Sequence, residues 1–542
     1  MSMSNKKILL LICLLSVLPL SAFLFSPNLV HTHDGLVHLP RIGAFYKALL
    51  DGQLPVRWAG DLNYGYGMPL FIFIYHTPYL IASLFLFFGL GLVWAFKLSL
   101  LMSFLLSGIF MYLFANAFFN DRKKAFIVTL LYQFAPFHLI DVTIRASFGE
   151  VYAYSFLPLV LYGLTKFFHT KRLGFLALVA IGTGLLVISH NSISLLFFAV
   201  CCLFSLFFSL RKKDSFYAGL ALATGLMVSA YYWLPALLEH KYTYGDLFMK
   251  DLFRDRFPPL WKLFVPNFFD TKSLQIDNIA LQIGIFHLIP ILIALYLVVR
   301  KKIKETVEKK IIYFSGALLF FALFFMSNVS LFVWDMIAFL RQFQFPWRFL
   351  SIVVFASSML GFLYLRYLKK SSYIIVLAIL IIASSISYWF PKEGYDRIKE
   401  SYYWNFPLNS TYYGETDVIW SAGPAKSYPK NRVSVIEGRG KVTELKRRSN
   451  KQTMNVSADT DLKLVSNTQY FPGWRAYVND IATPIEFQNE RYRGLITFSV
   501  PKGNHLVKVA FEESKTRMVA DVLSVVGAVG LLIAFFLRKK IL

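Results

Sequence analysis

The sequence is poor in charged residues and in cysteine. Only 16% of its 542 residues are Asp, Glu, Lys or Arg, whereas a soluble protein carries about a quarter. Its three cysteines, Cys13, Cys201 and Cys202, all lie in apolar runs, so the polar segments hold neither a disulfide framework nor a cysteine metal site. The shortage of charge indicates that much of the surface faces lipid rather than water.

Long apolar runs take the place of the missing charge. Hydrophobic residues make up 56% of the chain and aromatic residues 18%, and several runs approach the roughly 20 residues that cross a bilayer core. We predict an all-α polytopic membrane bundle of about twelve spanning helices. The predicted spans are 8–26, 93–118, 125–140, 151–168, 173–190, 192–210, 215–238, 279–299, 311–327, 348–367, 372–390 and 517–537.

Positive charge exceeds negative charge, with 56 Lys and Arg against 31 Asp and Glu. The basic residues form short clusters between apolar runs, as in cytoplasmic loops. They do not form the basic stripe with stacking aromatics that binds nucleic acid, so we predict no nucleic-acid partner. If Lys6 and Lys7 are cytoplasmic, all later basic clusters are also cytoplasmic only when the segment 70–92 does not cross the membrane. Pro69 and Pro78 would interrupt a helix there, which favours an interfacial or re-entrant element.

This charge pattern predicts a protein of the cytoplasmic (inner) membrane with both termini cytoplasmic. The long first loop 27–92, the segment 239–278 and the block 391–516 then face outward. The block 391–516 combines an aromatic linker, Tyr395 to Tyr413, with short alternating stretches and turn signals, which predicts an extracytoplasmic β-sandwich. We therefore divide the chain into a transmembrane domain 1–390, a β domain 391–516, and a final helix with a basic tail, 517–542.

The first outer loop holds the densest group of candidate residues. Asp34 follows His33, and His38, Arg41 and Arg57 come later in the loop. A carboxylate beside histidine can act as a base or ligate a divalent cation. The same residues are also compatible with a solvated loop, so their spacing leaves both interpretations open.

Four further candidates lie at predicted membrane boundaries. Arg145 and Glu150 follow the third predicted span, His190 ends the fifth, and Arg348 begins the tenth. An ionisable group at this depth is a functional candidate, and arginine suits bidentate contact with phosphate. An Arg145–Glu150 pair that only fixes a loop, and an Arg348 that only reaches lipid headgroups, remain alternatives.

Several motifs resemble those of a known family. They are Asp34-Gly35-x-x-His38-x-x-Arg41, Gly65-Tyr-Gly67-x-Pro69, Arg145-x-x-x-x-Glu150, Ser189-His190-Asn191 and Phe345-Pro-Trp-Arg348. Together they are similar to the 6-pyruvoyl-tetrahydropterin synthase-related multispanning membrane proteins, which look like a branch of the GT-C glycosyltransferases. The historical name does not imply pterin chemistry.

The resemblance implies a GT-C-like enzyme that uses a polyprenyl-phosphate-linked sugar. Asp34 would be the counterpart of the essential acid in the first outer loop, with Glu150 as a second acid. The implied phosphate or donor contacts are His38, Arg41, Arg57, Arg145, His190 and Arg348. Many GT-C enzymes have two adjacent acids where this chain has His33-Asp34, so a metal-free mechanism and a divalent cation held by Asp34 and His33 both stay open.

We therefore predict a glycosyltransferase that moves a sugar from a polyprenyl-phosphate donor to a glycan, lipid or protein acceptor on the outer face. Besides these substrates, membrane lipids are the predicted partners, and a divalent cation is the only cofactor considered. Two alternatives come from other classes. One is a lipid-linked glycan transporter or flippase, for which internal repeats would be typical; the other is a non-catalytic glycan-binding or assembly factor that relies on the β domain.

Overall fold

A computed structural model describes residues 4–266, 280–303, 305–391, 393–409 and 414–537. Parts of three predictions lie outside these residues. They are the end of the outer segment 239–278, the end of the aromatic linker at Tyr413, and the basic tail beyond 537.

Helices dominate the described chain, which confirms the predicted helical bundle. Eight are long and apolar enough to cross a membrane. They are Asn5–Leu24, Leu92–Phe119, Phe148–Thr170, Asn191–Phe208, Thr306–Met326, Pro346–Tyr367, Ser371–Tyr388 and Lys515–Ile533. The final helix continues to Leu537.

Two bent helix pairs add up to two further spans. Arg122–Gln133 with Pro136–Ile144 bends by 51°, and Lys212–Val228 with Ala230–Tyr242 bends by 68°. Counting each pair as one span brings the described total to ten. The predicted number of about twelve is not confirmed, because Leu173–Val187 and Ile285–Val299 have only 15 residues each. At 1.5 Å per residue they cover about 22 Å, less than a bilayer core of about 30 Å.

The segment 70–92 is interrupted, as its prolines predict. A short helix, Leu70–Phe73, ends before the helix Thr77–Phe87, which has Pro78 in its first turn. The second helix has 11 residues and covers about 16 Å, so it is too short to cross a bilayer core alone.

The remaining described helices lie in the connections between the apolar ones. The longest is Gly35–Leu50, which we call the first-loop helix. The others are Gly245–Met249, Leu260–Leu263, Leu331–Met336 and Glu400–Trp404, with 3₁₀ turns at Arg254–Arg256, Asn328–Ser330 and Ala338–Phe343.

The C-terminal region contains a two-layer antiparallel β-sandwich, which confirms the predicted β region. Its strands are β3 Val433–Glu437, β4 Gly440–Arg448, β5 Lys451–Ala458, β6 Leu462–Gln469, β7 Trp474–Val478, β8 Ile481–Thr483, β9 Leu495–Val500 and β10 Gly503–Phe511. A five-stranded sheet has the order β4-β5-β10-β7-β8 and a three-stranded sheet has the order β3-β6-β9. Inward-facing residues of both sheets, such as Met454 and Phe498, share one hydrophobic core.

Two contacts join the first loop to the later part of the chain. A two-residue strand, β1 Leu29–Val30, pairs with β2 Tyr395–Asp396. Trp58 of the first loop is fully buried in the core of the sandwich. The segment that carries the first-loop candidates is therefore held between the helical part and the sandwich.

Candidate functional site

Four separate connections bring their charged residues together at one end of the helices. A π-helical turn, Ile140–Ile144, precedes Arg145, whose amide donates to the carbonyl of Ile140 at 2.8 Å. The next helix begins at Phe148, which places Glu150 in its first turn. π-helical turns occur often at functional sites, and a carboxylate in the first turn of a helix is stabilised by the helix dipole.

The first-loop helix reaches this place through its N-terminus. The amide of His33 donates to the carbonyl of Ile144 at 3.2 Å, and the amide of Asp34 donates to the carbonyl of Arg145 at 3.0 Å. Asp34 is the N-terminal cap of the helix. Positions 34, 38 and 41 lie on one helical face because their spacing of four and three matches the helical period.

Arg145 is buried between two carboxylates. Its guanidinium donates to Asp141, and it donates to both oxygens of Glu150 at 3.0 and 3.1 Å. The guanidinium also lies 4.7 Å from the centre of the Trp347 ring. These contacts fix Arg145 firmly, and its charge is already balanced.

Glu150 is the centre of the group. Besides accepting hydrogen bonds from Arg145, Glu150 accepts one at Oε1 from Nε of Arg348 at 3.0 Å. The same oxygen lies 3.7 Å from Nε2 of His190. Its side chain is fully buried, and removing a partner from such a buried ion pair is costly. Glu150 therefore positions three cationic or donor groups rather than standing free as an acid.

Arg348 ends the Phe345-Pro-Trp-Arg motif and lies in the first turn of the span Pro346–Tyr367. Besides Glu150, it donates from Nη1 to the carbonyl of Phe343 at 2.8 Å and to Oε1 of Gln344 at 2.9 Å. The ring of Phe345 lies 4.8 Å from its guanidinium carbon. The motif thus supplies the arginine together with the ring that supports it.

His190 caps the helix Asn191–Phe208. Its Nδ1 accepts from the amides of Ser192 and Ile193, each at 3.2 Å, which leaves Nε2 as the protonated nitrogen that faces Glu150. Burial lowers the pKa of His190 to about 3, against the opposing effect of Glu150. The ring is therefore a neutral hydrogen-bond donor at ordinary pH.

Asp34 is half-buried next to this group. Burial raises the pKa of its carboxyl above the ordinary value, while the nearby charges of Arg145 and Arg41 oppose the shift. Within the described part of the chain, no side chain or amide donates a hydrogen bond to its carboxylate. A carboxylate with a raised pKa and a free lone pair is suited to accept a proton.

A cavity of about 260 Å³ opens beside the cluster. Arg41, His190 and Arg348 contribute to its wall, together with Tyr75 and the segment Glu415–Thr416 of the linker. Asp34, Arg145 and Glu150 do not line it. His240 lines it as well, so the wall combines two arginines and two histidines with one acid, Glu415.

Arg41 differs from the other two arginines. It is buried, its Nε makes no hydrogen bond, and it pairs with no carboxylate among the described residues. Its guanidinium lies near the hydroxyl of Tyr79, which bonds to Nδ1 of His38 at 2.9 Å. His38 therefore holds Tyr79 in place beside Arg41 and does not itself line the cavity.

Two other predicted residues lie elsewhere. Arg57 donates to Oδ1 of Asp521 at 2.7 Å and to Glu513 at 3.5 Å, so it joins the first loop to the final helix and is not part of the cluster. His33 is exposed, beside Asp34 in the chain. The described residues contain no group of three or more His, Cys, Asp or Glu side chains placed to hold a metal ion.

Sequence reasoning assigned no role to three residues that support the cluster. Asp141 balances Arg145, Tyr79 links His38 to Arg41, and Trp347 stacks on Arg145. Two of them had a signal in the sequence, because Trp347 stands next to Arg348 in the motif and Asp141 stands four residues before Arg145. Tyr79 depends on contacts between separate elements, which spacing does not reveal.

The chain is similar to known proteins in structure but not in curated sequence. No curated protein sequence matches the chain. The oligosaccharyltransferase of Archaeoglobus fulgidus is similar in structure, with 13% identity and a TM-score of 0.47 over 79% of this chain and 61% of the other. The arabinofuranosyltransferase AftD from Mycobacteria has 13% identity and a TM-score of 0.45, over 74% of this chain and 28% of the other. The chain thus spans less than two thirds of either protein.

A family model covers the central helices. It describes a 6-pyruvoyl-tetrahydropterin synthase related domain, a membrane protein domain, and matches residues 73–390. Arg145, Glu150, His190 and Arg348 lie inside the matched range, whereas Asp34 and Arg41 lie before it. Since the match covers more than half of the chain, this protein belongs to the 6-pyruvoyl-tetrahydropterin synthase related family of membrane proteins.

Proposed function

We propose that the protein is a glycosyltransferase that takes a sugar from a polyprenyl-phosphate donor on the outer face of the cytoplasmic membrane. One observation carries the proposal. A cavity of about 260 Å³ is lined by Arg41, Arg348 and His190, and Asp34, a half-buried carboxylate with a raised pKa, stands beside Arg41 and Arg145. This arrangement offers donors for a phosphate and a separate base.

In the proposed reaction, the donor phosphate occupies the cavity. Arg41 pairs with its charge, because the guanidinium has no carboxylate partner among the described residues, and Arg348 and His190 donate further hydrogen bonds. Asp34 accepts the proton of an acceptor hydroxyl as the oxygen attacks the anomeric carbon. The bond between that carbon and the phosphate oxygen breaks, and the arginines stabilise the negative charge that develops on the phosphate.

Arg145 and Glu150 act as positioning residues in this proposal. Glu150 holds Arg145, Arg348 and His190 in one geometry, and such preorganised charge needs no rearrangement during the reaction. A divalent cation remains a prediction. Asp34 is a suitable oxygen ligand, and Mg²⁺ is often bound by one or two carboxylates together with substrate phosphates, but no step above depends on a cation.

The test is sugar transfer by the purified protein reconstituted in lipid vesicles. Labelled polyprenyl-phosphate monosaccharides serve as donors and a membrane extract supplies acceptors, with divalent cation present or chelated. We expect Asp34→Asn to lower turnover by roughly 10²–10⁴-fold, which is the typical contribution of a positioned base. Donor binding should stay within about twofold, because Asp34 does not line the cavity.

Asp251→Asn is the matched control, since Asp251 is 60% exposed and pairs with Arg254 on the surface. It should leave turnover unchanged. Equal turnover by Asp34→Asn and wild type would refute the assigned mechanism. Donor binding without turnover in any extract would favour the lipid-linked glycan carrier, and failure of every donor to bind would favour the assembly factor.

A further inference from the structure

A second cavity, of about 170 Å³, lies against the other face of the first-loop helix. Pro40, Ala44 and Lys47 line it, and their spacing of four and three places them on one helical face. Arg41 lies on the wall of the first cavity instead. The two cavities share no lining residue, so the first-loop helix separates them.

The second cavity is formed where three parts of the chain meet. The first-loop helix and the loop 61–65 supply one side, the residues that follow helix Glu400–Trp404 supply another, and the β-sandwich supplies the third. The side chains that matter below are Lys47, Asp61, Trp404, Tyr428, Arg432 and Arg447. Its volume exceeds the roughly 30 Å³ share of one water molecule several times over.

Positive charge predominates in this cavity. Lys47 lies 2.8 Å from Asp61 and Arg447 lies 3.7 Å from the same carboxylate, so two cations share one acid. Arg432 donates to the carbonyls of Gly65 and Asn467 and pairs with no carboxylate in the described part of the chain. Three cations against one acid favour a ligand that carries negative charge.

Aromatic side chains supply a flat, half-apolar wall. Tyr428 is 56% exposed, its hydroxyl donates to the carbonyl of Asn405 at 3.2 Å, and its ring packs against Tyr64 at 5.3 Å. Trp404 lines the cavity as well, with Nζ of Lys47 5.7 Å from its ring centre. Rings of this kind combine an apolar face with a polar edge, which matches the C–H face and hydroxyl edge of a sugar.

We propose that this cavity is a binding site for an anionic saccharide, a sugar ring that carries a carboxylate or a phosphate. Tyr428 and Trp404 contact the apolar face of the ring. Arg447, Arg432 and Lys47 pair with the acidic group, and Asp61 accepts hydrogen bonds from hydroxyls. This site is independent of the transfer reaction, because binding here uses none of the residues around the first cavity.

The experiment is a binding titration with the full chain in lipid nanodiscs. The probes are a disaccharide that contains a uronic acid, its neutral counterpart with the same linkage, a hexose phosphate, and inorganic phosphate, each followed by isothermal calorimetry. We expect the uronic acid disaccharide or the hexose phosphate to bind about fivefold more tightly than the neutral disaccharide, as the loss of a charged contact costs about 1 kcal/mol. Whichever of the two binds identifies the acidic group.

Variants separate the aromatic contact from the charge. Tyr428→Ala should weaken binding by about tenfold through loss of the ring, Tyr428→Phe should keep it within about twofold, and Arg447→Gln should weaken it by about fivefold. Arg439→Gln, on an exposed residue of the same sandwich, should have no effect. A melting temperature equal to wild type confirms that each variant folds.

Four results would overturn the proposal. They are no binding by either acidic saccharide, equal affinity for the neutral disaccharide, affinity for inorganic phosphate equal to that of the acidic saccharide that binds, and unchanged binding in Tyr428→Ala. None of these results bears on sugar transfer at Asp34, so the two proposals fail or stand separately.

Discussion

Three arginines meet at the candidate site, and they differ in whether a carboxylate balances the charge of the guanidinium. Arg145 lies between Asp141 and Glu150, and Arg348 also pairs with Glu150. Arg41 pairs with no carboxylate in the described part of the chain, and the neutral hydroxyl of Tyr79 lies near it. A buried guanidinium without a carboxylate is unfavourable, and an incoming anion would offset that cost. Arg41 is therefore the residue through which an anionic ligand is best recognised.

The charge on Arg41 also affects Asp34. Burial raises the pKa of Asp34, Glu150 raises it further, and Arg145, His33 and Arg41 lower it. A base must be ionised, so activity should rise with pH through a midpoint above the ordinary aspartate value of 3.8. Arg41→Gln removes one charge that stabilises the carboxylate, which should move this midpoint to higher pH by roughly 0.5–1 unit.

The measurement is the pH dependence of kcat/KM for wild type, Arg41→Gln and the surface control Arg439→Gln. His190 adds no second step above about pH 4, because its pKa lies near 3. A midpoint that stays in place or moves to lower pH in Arg41→Gln would contradict the assignment of Asp34 as the base. A shift of equal size in Arg439→Gln would mean that the effect is not local.

The residues of the cluster that lie at a predicted membrane boundary could be predicted from the sequence. Arg145, Glu150, His190 and Arg348 are ionisable groups at the ends of apolar runs, and the structure brings them together. Arg57 was a candidate from the first loop, yet its partner Asp521 is 464 residues away. A sequence pattern shows that an arginine is unusual, but it does not show which distant acid will meet it.

At the scale of elements, the site depends on close contact between the start of helix Phe148–Thr170 and the loop before helix Asn191–Phe208. Gly149 makes this contact possible. A Cβ at position 149 would lie 2.4 Å from the carbonyl oxygen of Ser189 and 2.6 Å from the ring of Tyr75. The backbone oxygen cannot move aside cheaply, so any side chain would separate Glu150 from His190.

Gly149→Ala should therefore destabilise the protein by about 1–3 kcal/mol, as overpacking does, and lower activity at least tenfold. Gly219→Ala is the matched control, because no atom lies within 4 Å of its Cβ position in helix Lys212–Val228. That change should leave activity intact and raise stability by up to about 1 kcal/mol. Thermal unfolding in detergent and sugar transfer measure both effects. Equal activity and equal stability of the two variants would refute the close contact at Gly149.

Elements with a regular period were predictable, and breaks in them were less so. The strands of the sandwich follow the alternation of apolar and polar residues, and the turn at Asn479–Asp480 has the positive φ angles that such residues tolerate. The bend before Pro136 had a signal, since the residue before proline adopts extended geometry. The bend near Ser229 has no proline beside it; the Ser229 hydroxyl there donates to the carbonyls of Gly225 and Leu226, a contact that often bends helices.

At the scale of the whole molecule, the first loop and the sandwich form one packed unit. The sandwich supplies Trp474 and Phe511, whose rings lie 5.2 and 5.1 Å from the ring of Trp58. Arg57, the preceding residue, pairs with Asp521 and Glu513 of the final segment. The same loop carries Asp34 and Arg41, so the sandwich stabilises the segment that forms the candidate site.

Trp58→Ala tests this connection. The substitution leaves a large hole in the sandwich core and should lower the free energy of unfolding by about 3–5 kcal/mol. Calorimetry measures the loss, and limited proteolysis should cut both the sandwich and the first loop faster, because they pack on each other. Trp261→Ala, at a side chain that is 63% exposed, should change stability by no more than about 0.5 kcal/mol. Faster cleavage of the sandwich with an unchanged first loop would mean that the two are not coupled, and the sandwich would then have no part in holding Asp34 in place.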